Sequence, residues 1–140
     1  MPRLITFAAM IDVVLNKGKE KAVLQKHPWV FSGAIEKVKG KPVNGDVVRL
    51  LNSKGDFMAY GFYNDQSRVA LRLLEWNEAV EINDDWFRNK LATAVKSRAN
   101  VLESGTNTCR LVFSESDYLP GLIVDKYAAH LAVQVLTSGM

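Results

Sequence analysis

The sequence predicts an α+β chain: a small β-barrel followed by an α/β module with one long helix and an antiparallel three-strand meander. Three observations lead there. Turn signals recur at close intervals from Ser32-Gly33 through Gly40, Asn44-Gly45 and Gly55 to Asn64, with short strand-like runs between them, the pattern of a small barrel or sandwich. Near residues 73–80 the pattern changes. The stretch "INDDWFRNKLATAVKSRANVLESG" then repeats apolar residues at helical spacing, and three strand-like runs follow.

The elements can be justified in order. Residues 11–15 form a short β-branched run. Gly18 breaks it, and Ala22, Val23 and Leu24 make one or two helical turns. His27-Pro28 ends them, because the residue before a proline is pushed out of the helical region. Trp29 opens a strand through Phe31, with its ring assigned to the core. Strands are expected at 34–38, 46–51, 57–63 and 69–76. The long helix is capped by Asn83 or Asp84, and Asp84 and Asp85 complement its dipole. Phe87, Leu91, Val95 and Leu102 share one face, and Gly105 stops it. Strands at 110–114, 122–127 and 131–136 complete the chain, the last two joined by a hairpin at Ala128-Ala129. Two domains are therefore expected, residues 1–74 and 75–140. The last strand would lack a covering element, so the chain is expected to be the front part of a longer protein.

Composition narrows the class. A chain of 140 residues, 48% hydrophobic and 24% charged, fits one ordinary globular domain or two small ones. No apolar run is long enough to cross a bilayer. Residues 4–10 are apolar but short, without the small-residue cleavage site of a secretory signal. Cys109 is the only cysteine, so no internal disulfide can form and a reducing, cytoplasmic setting is expected. Charge is uneven. Residues 1–75 carry 12 Lys/Arg against 7 Asp/Glu, and residues 76–140 carry 6 against 8. A basic first half favours nucleic acid, though only modestly at this magnitude.

Two segments could carry function. In Glu115-Ser116-Asp117-Tyr118-Leu119-Pro120-Gly121, two carboxylates could do acid–base work or hold a metal. The stronger reading is architectural: Pro120-Gly121 turns the chain, Leu119 and Leu122 pack inward, and the carboxylates take backbone N–H groups. The second segment holds Lys17, Lys19, Lys21, Lys26 and His27. These are candidates for RNA contact through charge and stacking, set against an ordinary solvated turn. Cys109 has no activating neighbour and reads as a buried structural thiol. No metal-ligand spacing and no phosphate-binding glycine loop is present. The residues thus propose no catalytic, metal or cofactor site.

Two motifs carry a resemblance. His27-Pro28-Trp29-Val30-Phe31-Ser32-Gly33 and Leu119-Pro120-Gly121-Leu122-Ile123-Val124-Asp125, within "KGKEKAVLQKHPWVFSGAIEKVKG", "GDVVRLLNSKGDFMAYGFYN" and "RLVFSESDYLPGLIVDKY", resemble the N-terminal part of the class I S-adenosylmethionine-dependent rRNA methyltransferases of the large-subunit cytosine-5 methyltransferase I type. The resemblance runs from about Val13 onward. It implies a PUA domain, a small RNA-binding barrel, followed by the start of a central α/β domain. It places the S-adenosylmethionine site and the nucleophilic cysteine in a C-terminal domain that this sequence does not contain. Cys109 does not match that nucleophile, and Tyr118 stands where the family often has glycine. The implied function is RNA recognition, of large-subunit rRNA, for a methyltransferase whose fragment here is itself non-catalytic. A homodimer of the longer protein is left open. The alternatives are a stand-alone PUA-type RNA-binding or ribosome-assembly module, and a small enzyme using Glu115 and Asp117.

Overall fold

The structure, a computed structural model, describes residues 10–140, so nearly all of the apolar run at 4–10 lies outside the described residues. The chain divides into two compact units between Asn83 and Asp84.

The first unit contains β1 (Asp12–Leu15), α1 (Lys21–Leu24), β2 (Trp29–Phe31), β3 (Ile35–Lys39), β4 (Val47–Leu51), β5 (Phe57–Tyr63) and β6 (Val69–Glu75). The six strands form one sheet in the order β2-β6-β5-β4-β1-β3. All neighbours are antiparallel except β1 and β4. The edges of this sheet are β2 and β3, yet they are consecutive in sequence, separated only by the 3-10 turn Ser32–Ala34. Six strands laid flat would put those edges ~24 Å apart at about 4.8 Å per strand. The four residue steps from Phe31 to Ile35 reach at most ~14 Å. The sheet must therefore curl until its two edges approach each other, a half-closed form of the small barrel expected from the turn spacing. Asn16 ties the seam: its N–H donates to the Ala34 carbonyl at 2.9 Å and its side-chain amide to the Gly33 carbonyl at 3.3 Å.

Alternation along the strands builds the core. Val13 and Leu15, Val48 and Leu50, Leu71 and Leu73 project inward with Ala59, Val30 and Val23 of α1. Leu71 and Leu73 have no exposed surface, so truncating either to alanine costs about 2–5 kcal/mol. Register also pairs charges. Asp12 lies opposite both Lys39 and Arg49, and the Arg49 guanidinium donates to Asp12 Oδ1 at 2.7–2.8 Å.

The second unit contains α2 (Asp84–Lys96), α3 (Ala99–Glu103), β7 (Thr108–Phe113), β8 (Leu122–Tyr127) and β9 (His130–Val135). The three strands form an antiparallel meander, β7-β8-β9. Tyr127 pairs with His130, so Ala128-Ala129 is the two-residue hairpin expected. β9 is exposed along its whole length.

The expected long helix is two helices. At the break the Ala94 carbonyl accepts from the Ser97 hydroxyl at 2.7 Å and the Arg98 guanidinium at 3.0 Å, and side chains bonded to a carbonyl at a helix end help terminate it. The buried line is also rotated from the expectation. Trp86 and Ala94 are buried, whereas Val95 is 40% exposed.

Candidate RNA-binding surface

The basic candidates lie on the connection from β1 through α1 to β2. Lys17, Lys19, Lys21, Lys26 and His27 are all exposed, so four ammonium groups and an imidazole face solvent. The end of α1 is a Schellman motif. His27 N–H donates to the Ala22 carbonyl at 2.9 Å and Lys26 N–H to the Val23 carbonyl at 3.0 Å. The residue at the turn of such a motif takes left-handed backbone angles and is usually glycine. Here it is Lys26, at φ 63°. A lysine in that conformation costs about 1–2 kcal/mol relative to the right-handed region. Its ammonium sits 5.1 Å from the centroid of the Trp76 ring, and Trp76 is itself anchored by its indole N–H on the Val23 carbonyl at 2.9 Å. The α1 end thus fixes both the backbone and the charge of Lys26.

β2 corrects one assignment. Trp29 is 39% exposed and Phe31 49% exposed, whereas Val30 between them is 3% exposed. A strand sends alternate side chains to opposite faces, so Val30 takes the core position and both aromatic rings share the outer face. That alternation is the signal the sequence carries for Trp29. His27 extends the row. Its ring lies 6.2 Å from that of Trp29, and Trp29 lies 6.4 Å from Phe31, both edge to face. Trp29 N–H donates to His27 Nδ1 at 3.2 Å, which pins the imidazole to the start of the strand. Across the ladder, Arg72 of β6 is the register partner of Trp29.

In the carboxylate segment the side chains bond within the surrounding loop. Glu115 and Asp117 lie on the 3-10 turn Ser114–Asp117, not on a strand. Asp117 takes a two-pronged bond from Arg98, at 2.6 and 2.8 Å, and accepts the Phe113 N–H at 2.6 Å. The Ser114 hydroxyl donates to Glu115 and accepts the Gly121 N–H at 2.8 Å. Leu122 N–H closes the Pro120-Gly121 turn on the Leu119 carbonyl at 3.0 Å, and Leu119 is fully buried. Tyr118 adopts φ 56°, the left-handed region where glycine is cheapest. Among the described residues no group of three His, Cys, Asp or Glu is placed to hold a metal. Cys109 is half-buried and not fully buried as expected; its thiol donates to the Arg110 carbonyl. Beside it, Arg110 holds Asp125 in a two-pronged bond at 2.8 and 3.0 Å. That bond keeps the Asp125 carboxyl below its ordinary pKa and the Arg110 guanidinium above its own.

Comparison with known proteins finds similarity along most of the chain. Residues 13–76 match the PUA-like domain model. Ribosomal RNA large subunit methyltransferase I of Pseudoalteromonas translucida is 40% identical over 128 residues, which is 91% of this chain and 32% of that protein. The Tolumonas auensis protein of the same name is 38% identical over 128 residues, with the same coverage. Over most of its length the chain matches a part of these ribosomal RNA large subunit methyltransferase I proteins. It spans about a third of the length of the curated relatives it matches. A solved Streptococcus mutans chain assigned as a SAM-dependent methyltransferase superposes with a TM-score of 0.78 at 19% identity, covering 93% of this chain and 34% of that one. A second solved chain with a methyltransferase assignment, complexed with SAH, gives the same score and identity over 33% of its length. At that identity the likeness is one of fold. No helix among the described residues is long and apolar enough to cross a membrane.

Proposed function

We propose that this chain is the RNA-recognition part of an S-adenosylmethionine-dependent rRNA methyltransferase acting on the large ribosomal subunit in the cytoplasm. Its PUA-like domain docks RNA phosphates through Lys17, Lys19, Lys21, Lys26 and His27. The observation that carries the reading is the α1 connection. It belongs to the PUA-matched segment, all five side chains are exposed, and one of them occupies a strained backbone position usually filled by glycine. Four lysines within ten residues supply the counter-charge that RNA binding draws on.

The described residues do not fit S-adenosylmethionine. A Rossmann-type site needs a glycine-rich turn between a parallel strand and a helix. The nine glycines of this chain never fall two apart, and the one parallel pair among the described residues, β1 with β4, has no long helix in its crossover. On this reading the cofactor and the methyl transfer are the work of a longer protein, like the relatives of which this chain spans about a third.

The test is titration of a large-subunit rRNA fragment with the parent chain and a Lys17/Lys19/Lys26→Ala variant at several salt concentrations. Each lost phosphate contact lowers the log–log salt slope by roughly 0.7–0.9, so a reduction of about two is expected for the triple variant. Equal affinities and equal slopes would move the RNA surface elsewhere.

A further inference from the structure

The aromatic row on β2 is not needed for the phosphate contacts just described, and it is costly to expose. Val30 alone serves the core from this strand. Trp29 and Phe31 leave 39% and 49% of their surface to solvent, side by side and in line with the His27 ring. Adjacent exposed aromatic rings on a small domain mark a contact surface more often than a packing accident.

Charge around the row narrows the occupant. No acidic residue occurs between Lys21 and Ser32. Lys26 and His27 lead into the strand, and Arg72 faces Trp29 across the ladder. On β6 the only acid is Glu75, at the strand's end, where its carboxylate accepts the N–H groups of Trp76 and Asn77. Rings bordered by cations suit a ligand that is anionic along its backbone and flat in its side groups. Single-stranded RNA has both properties: phosphates for the lysines and base faces for the rings. An A-form duplex does not, because its bases are stacked on one another and expose only their edges.

We propose that Trp29 and Phe31, with His27 beside them, form a stacking platform for unpaired bases, so that this surface selects single-stranded segments of RNA over duplex. The proposal rests on the RNA-binding reading of the same surface and adds the class of RNA that it takes.

The test uses the 140-residue chain with a single-stranded oligoribonucleotide and a blunt RNA duplex of equal length, each titrated against the parent, Trp29→Ala/Phe31→Ala and Trp29→Phe/Phe31→Tyr. Base–aromatic stacking is worth enough that each ring removed weakens single-strand binding roughly five- to a hundredfold. The expected result is a preference of the parent for the single strand and loss of that preference in the alanine pair. The ring-conserving pair should restore it. Duplex binding and the salt slope should stay as in the parent, because the lysines remain. Thermal melting checks the fold of each variant, and the ring-conserving pair keeps the test decisive if the alanine pair unfolds. Unchanged single-strand affinity in a folded alanine pair overturns the platform while leaving the basic surface standing. Equal preference for duplex and single strand in the parent does the same. If the parent binds neither RNA, the underlying RNA reading fails with it.

Discussion

Replacing Lys26 with glycine separates stability from binding. Lys26 stands at φ 63° in the Schellman turn that ends α1, so glycine relieves about 1–2 kcal/mol of left-handed strain. Two terms oppose this. Glycine adds freedom to the unfolded chain, worth about 0.4–1 kcal/mol. The variant also loses the ammonium 5.1 Å from the Trp76 ring, worth about 0.5–1 kcal/mol at an exposed site. The terms nearly cancel, so stability should stay within about 1 kcal/mol of the parent, a shift of a few degrees in melting temperature. RNA binding should respond differently, because one phosphate contact is removed and the salt slope falls by roughly 0.7–0.9. The assay is thermal unfolding alongside RNA titration at four salt concentrations. A fall in melting temperature of ten degrees or more would show that the lysine side chain holds the turn, against the strain argument. An unchanged slope with unchanged affinity would remove Lys26 from the interface.

Two further outcomes follow from the second unit. Gly121→Val should destabilise by about 2–4 kcal/mol, since Gly121 has φ 88° and a Cβ there would stand 2.8 Å from the Cβ of Thr137, adding a clash to the backbone strain; urea unfolding that matches the parent's would contradict the packed turn. The Arg110–Asp125 pair predicts the sign of an acid effect: the carboxyl's pKa is lowered in the folded state, so its contribution is present above the unfolded value near ~4 and is lost as pH falls through the folded value. Asp125→Asn should therefore flatten the stability loss between neutral and acidic pH, and unfolding curves at a series of pH values that stay parallel for the two proteins would rule the pair out as its source.

Most of the architecture was legible because it is written in short-range signals. Alternating apolar residues and closely spaced turns located every strand of the first sheet to within a residue or two. The curl follows from connectivity once the strand order is known, but the order itself is not in the local pattern. The parallel pairing of β1 with β4 depends on contacts across 37 residues, as in the Asp12–Arg49 bond, and no local propensity reports that. The helix break was hidden for a related reason. Ser97 and Arg98 look compatible with a helix, and only the draw of Asp117, nineteen residues away, shows why the Arg98 side chain turns back at that point.

The candidate surface was read less completely than the fold, and the reason lies in how the two kinds of residue declare themselves. Lysines announce exposure by composition, so the basic segment stood out at once. Aromatic residues announce burial, and Trp29 was assigned accordingly; only its position one residue from Val30 argued otherwise. Left-handed backbone positions offer a complementary guide. Four non-glycine residues among those described have positive φ: Lys26, Ser114, Tyr118 and Ala128. Ser114 and Tyr118 belong to the hydrogen-bonded loop around Asp117, and the Ala128 N–H is tied to the Asn107 carbonyl at 2.7 Å within the hairpin. In those places local bonding accounts for the conformation. At Lys26 the backbone bonds of the Schellman turn could be made equally well by glycine, and at lower cost. What glycine cannot supply there is the ammonium, which the proposed RNA surface uses.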